Sequence, residues 1–201
     1  MFFYTLFFIA LYMAIRGYIS FFFTQTPAIL AWGYILSHVF LALAAGYLAR
    51  FSVTSFFSAR AADKVFYIVL FLFAVDIAIN ILVPNDPLFN RELNIIEWGT
   101  NKYVGILHTV LLWLVFLSAG VLFAYKAVQN RKDREIRTRS VLIASGILLG
   151  IVIVIPRNIF HDPAFLVVSD IGYALSFGVT LLGVSYHFRK KNGQDENHLQ
   201  L

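Results

Sequence analysis

Val65–Val83, VFYIVLFLFAVDIAINILV, is a nineteen-residue apolar run with one carboxylate, Asp76, near its middle. As a helix it would be ~28 Å long, close to the ~30 Å hydrocarbon core of a bilayer. The run therefore reads as a membrane span. Its buried carboxylate has no stem with which to reach the interface, so it must pair with a cation, accept hydrogen bonds or be protonated.

The rest of the chain agrees. Of its 201 residues 60% are hydrophobic and only 13% charged, and mean hydropathy is +0.76. A soluble domain of this size lacks the interior to hide so much apolar side chain. Five further runs match the first: Phe2 to about Phe23, Ala28–Leu48, Tyr103–Tyr125, Val141–Pro156, and Ala164 to about Tyr186. The expected fold is all-α, a bundle of six transmembrane helices over residues 1–188, followed by a short polar cytoplasmic tail at 189–201. That tail is expected to lack regular structure. The first run has no basic start and no small-residue cleavage site, so it reads as a retained helix. Pro156 is expected to end the fifth.

Loop charge sets the orientation. Twelve of the sixteen Lys and Arg residues fall on one side: Arg50, Arg60 and Lys64, then Lys126, Arg131, Lys132, Arg134, Arg137 and Arg139, then Arg189, Lys190 and Lys191. The other side has Arg91, Lys102 and Arg157, and Arg16 lies within the first span. The positive-inside rule puts both termini in the cytoplasm. It also accounts for the net charge of +5 without nucleic acid as a partner. Membrane lipids are the expected partners, with a bacterial or archaeal cell membrane as the location.

In the outer loop, Glu92–Trp98 fits either a short amphipathic helix along the headgroups or an irregular loop anchored by Trp98. The inner loop, NRKDREIRTR, mixes charge at helical spacing and should extend span four or five. Arg131, Lys132, Arg134, Arg137 and Arg139 would there meet lipid headgroups or a cytoplasmic signalling partner. Small-residue pairs at Gly146/Gly150, Ala174/Gly178, Ala42/Gly46 and Gly120/Ala124 predict close helix approach, within one bundle or in a homo-oligomer.

Depth along each helix, at ~1.5 Å per residue, places the polar residues of five spans in one slab. Asp76 lies ~3 Å outward of its span's midpoint, Arg16 ~6 Å, Asp170 ~7 Å, and Asn80 and His108 ~9 Å. His38 is near the midplane. Each has a structural reading: Arg16 snorkelling or pairing with Asp76 or Asp170 to fix packing, and the histidines hydrogen-bonded within the bundle. Together they read as candidates for an outward-opening pocket that receives a small ligand, an ion or a proton.

Chemistry on a bound group is not indicated. Zero cysteines exclude thiolate metal sites and thiol catalysis. No two of the polar residues share a metal-ligand spacing within a helix, and the depths of His38 and His108 fit a haem poorly. Val75-Asp76 and Ser169-Asp170 differ from the aspartate contexts of intramembrane proteases, and no phosphate-cradling glycine loop is present. No enzyme activity and no cofactor are expected.

Tyr125–Gly146, YKAVQNRKDREIRTRSVLIASG, resembles the inner loop and following helix of bacterial multi-span sensor regions that precede histidine kinases. The likeness covers about a tenth of the chain, and no transmitter domain follows it. It implies a stand-alone sensor module that signals through a separate partner. A small transporter or proton-coupled carrier, and a structural or assembly subunit, are the alternatives.

Overall fold

The structure is a computed structural model. It describes the backbone of residues 2–54, 57–92, 95–99, 101–159 and 163–198, and the side chains of 2–54, 57–92, 96–99, 101–153 and 167–186. Six helices form in chain order: α1 (Phe2–Phe22), α2 (Pro27–Thr54), α3 (Ala59–Leu82), α4 (Lys102–Gln129), α5 (Arg134–Ile159) and α6 (Pro163–His198). All six are long and apolar enough to cross a membrane, as a multi-pass protein requires.

Their ends follow capping chemistry. Ser58 and Asn101 accept backbone N–H groups at the starts of α3 and α4. Asp133 accepts those of Glu135 and Ile136, so the basic loop extends α5 and not α4. Arg131, Lys132, Arg134, Arg137 and Arg139 are all exposed there. Two boundaries differ from expectation. Helix α5 runs through Pro156 to Ile159, because a proline near a helix end removes one bond from a turn that is already fraying. Helix α6 continues to His198, so the polar tail is helical over most of its length; Lys, Gln and Glu are good helix formers.

The long loop after α3 differs too. It folds as an antiparallel pair, β1 (Leu88–Asn90) with β2 (Ile95–Glu97), with Phe89 opposite Ile96, and not as an amphipathic helix. Adjacent β-branched Ile95 and Ile96 favour the strand. Asn90 closes the turn: its side-chain oxygen accepts the Glu92 N–H at 3.1 Å and its amide donates to Glu97 Oε1 at 2.8 Å. Gly99, at φ +56°, turns the chain beneath Asp86, where a side chain would collide with backbone.

Helix α2 is the axis of the bundle and packs against α1, α3 and α4. Its Ala42, Ala44, Ala45, Gly46 and Ala49 are buried and small, which lets neighbouring backbones approach. Gly46 meets Phe66 and Leu70 of α3, and Gly120 of α4 meets Ile147 and Leu148 of α5. Gly146 and Gly150 of α5 meet Ser176 of α6, whose hydroxyl donates to the Gly146 carbonyl at 2.7 Å. These small residues thus serve contacts inside one chain, except Gly178, which faces open space.

Packing is uneven along the chain. The apolar core joins α2, α3, α4 and α5 around Leu48, Phe73, Val115 and Ile147. Helix α1 lies along α2, and only its Thr5 and Ile19 are buried. Helix α3 buries Ala62, Val69, Phe73, Asp76 and Asn80, a single stripe at helical spacing. The stripe turns Asp76 inward and leaves Tyr67, Ile68 and Phe71 to the outside.

Candidate polar site and cavity

Asp76 is fully buried on the inward stripe of α3. Its Oδ2 lies 2.8 Å from Nδ1 of His108, which α4 presents six residues into its first turns. Of the outcomes open to this carboxylate, Asp76 takes a hydrogen-bonding partner, His108, and does not pair with Arg16. An imidazole from the adjoining helix satisfies one carboxylate oxygen, and Asp76 Oδ1 has no hydrogen-bond partner. Asn80, one turn on, donates to the Asp76 main-chain carbonyl at 2.8 Å, and its own Oδ1 is buried without a partner.

His38 of α2 packs its ring on that of His108, with centroids 4.6 Å apart in an edge arrangement. Its Nδ1 is 2.7 Å from the Tyr34 carbonyl. A carbonyl only accepts, so Nδ1 carries the hydrogen. Tyr34 in turn lies against His38 on one side, at 4.0 Å, and against Trp98 on the other, at 5.4 Å. A continuous line of contacts therefore runs from the hairpin to α3: Trp98, Tyr34, His38, His108, Asp76.

Arg16 joins this line from α1. Its guanidinium carbon sits 4.3 Å from the Trp98 ring centre, 5.2 Å from Tyr34 and 5.5 Å from Tyr12, and Nη1 donates to the Tyr12 hydroxyl at 2.6 Å. The described residues give Arg16 no ion pair. Aromatic faces carry a negative quadrupole, each worth on the order of 0.5–2 kcal/mol to a nearby cation, so three rings and a hydroxyl hold a charge whose expected fates were snorkelling or pairing with Asp76 or Asp170.

Arg16, His38, His108 and Asp170 line one cavity of about 740 Å³ between α1, α2, α4, α5 and α6. Asp76 stands behind His108, and Asn80 lies off the cavity. The hairpin closes one end with Glu97, Trp98 and Gly99. From there the wall turns apolar, through Leu41, Leu112, Ile151 and Phe177 to Leu48, Phe116 and Phe2. Two buried polar atoms without partners lie on residues of this wall, Thr5 Oγ1 and Trp113 Nε1.

Tyr12, Tyr34, Thr5 and Trp113 were not singled out in the sequence, and Trp98 was read only as a loop anchor. Two carried a readable signal: Tyr12 precedes Arg16 by four residues and Tyr34 precedes His38 by four, which puts each pair on one helix face. The described residues gather no three His, Asp or Glu side chains in metal-binding range. No protein-family model matches the chain, and no curated protein or solved structure does either.

Proposed function

We propose that this multi-pass protein is a non-enzymatic, sensor-like module that admits a small ligand, an ion or a proton to the cavity beside His108. One observation carries the reading: Arg16, His38 and His108, from three helices, border the same space, and the Asp76 carboxylate backs the last of them. An occupant that hydrogen-bonds to the His108 imidazole, or a proton taken up there, changes the electrostatic field on Asp76 and so the fit of α4 to α3. Helix α4 connects that contact with the exposed basic turn at Arg131 and Lys132, ~32 Å away by helical rise from His108 to Gln129. The resemblance of Tyr125–Gly146 to sensor regions supports output on that side, toward a cytoplasmic partner.

The proton is the simplest probe, applied between pH 5 and 8, because either member of the His108–Asp76 pair can take one up. Hydrogen exchange of Gln129–Arg139 and thermal unfolding should both depend on pH in the wild type, and the dependence should shrink in Asp76→Asn. Identical behaviour of the two proteins across that range would refute the reading. A carrier for hydrophilic ions is favoured less, because the far half of the cavity is walled mainly by Phe2, Leu6, Leu48 and Phe116 and has no charged residue among its described lining.

A further inference from the structure

The same cavity has a shape and a polarity that specify its occupant. We infer that it holds one membrane amphiphile with a single hydrocarbon chain and a zwitterionic phosphate–ammonium head, entering sideways between α1 and α6; this rests on the ligand-binding reading above.

The length comes from α1. Phe2, Leu6, Ile9, Met13, Arg16 and Ser20 all border the cavity at intervals of three or four residues, so one whole face of the helix looks into it. That face is ~27 Å long. A cavity of about 740 Å³ lies within the ~300–1,000 Å³ of a site for one small molecule, and drawn out along this face it is a slot with the proportions of one extended chain.

The wall decides polarity. Water filling the slot would lie mostly against Leu, Ile and Phe side chains. A hydrocarbon tail removes that contact at a gain proportional to the area covered.

The entrance is lateral. Helix α1 packs on α2 and α6 packs on α5, whereas α1 and α6 are not among the closely packed helix pairs of the described residues, although both border the slot. Gly17, on the cavity face of α1, has nothing within 4 Å of a Cβ position, so space opens beside it.

The head group follows from charge. Arg16 offers donors beyond the one used by Tyr12, and suits a phosphate, which accepts paired N–H groups. Glu97 borders the same end beside Trp98, so a head with an anion alone would meet a carboxylate. A head that adds an ammonium group meets both signs.

Purified full-length protein, in maltoside detergent, is titrated with palmitoyl lysophosphatidylethanolamine and followed by native mass spectrometry. Expected is one bound molecule per chain, held at least about tenfold more tightly than palmitoyl lysophosphatidic acid or hexadecanol, with a similar loss in Arg16→Gln. Gly17→Phe, at a lining position with free space around its Cβ, should fold as the wild type and block uptake. Equal binding of lysophosphatidic acid or hexadecanol, undiminished binding by Arg16→Gln, or a dimer that shields α1 and α6 from lipid would each overturn the inference. Failure here with the pH response of Gln129–Arg139 intact leaves the sensor reading standing; loss of that response refutes both.

Discussion

Removal of the His108 imidazole tests the centre of the site. Asp76 is fully buried, one of its oxygens already lacks a partner, and His108 supplies the other's hydrogen bond at 2.8 Å. His108→Ala therefore strands a carboxylate inside the bundle, a change that costs about 3–5 kcal/mol where a buried pair is broken from one side. Exchanging both residues for leucine removes the charge with its partner, and should restore most of that loss. The measurement is a double-mutant cycle on His108→Ala and Asp76→Ala, by reversible unfolding in bicelles titrated with denaturing detergent. A coupling of about 2 kcal/mol or more is expected. Ordinary hydrogen bonds between transmembrane helices average about 0.6 kcal/mol in such cycles. A coupling at or below that average would refute the reasoning, because the pair would then be no more than incidental packing.

Two further outcomes are expected. Gly146→Val places a side chain against the Thr180 hydroxyl and 2.8 Å from both the Ser176 carbonyl oxygen and the Thr180 nitrogen, so α5 and α6 must separate; thermal unfolding should report a loss of about 1–3 kcal/mol or more. Orientation can be read from a chain with no cysteine of its own: a single cysteine at Asn90 should react with an impermeant maleimide from outside intact cells, and one at Arg131 only after the cells are opened.

The helices were legible because bilayer thickness fixes their length and composition marks them. The inward stripe of α3 was legible too, since Val69, Phe73, Asp76 and Asn80 repeat at helical intervals. Such spacing says which residues share a face and not which helix stands opposite. Asp76 could therefore be assigned a need for a partner, while the choice between Arg16 and His108 depended on α3 lying beside α4. Arg16 was harder. A cation near the membrane centre suggests a carboxylate, and its actual partners are rings brought from α2 and from the hairpin, far away in sequence. Glu92–Trp98 misled because a short run with Leu93, Ile95 and Ile96 fits both a helical and an alternating pattern; the Asn90 side-chain bonds selected the strand.

Helix α4 runs unbroken from Lys102 to Gln129 and holds no proline. A rod of that kind transmits displacement as leverage, not as local unwinding. Pivoting by about 5° at His108 would carry the Gln129 end roughly 3 Å sideways over its ~32 Å reach. On the sensor reading proposed above, an adjustment of a few tenths of an ångström beside Asp76 would be magnified at the charged surface, to the size of the helix shifts on which signalling interfaces turn.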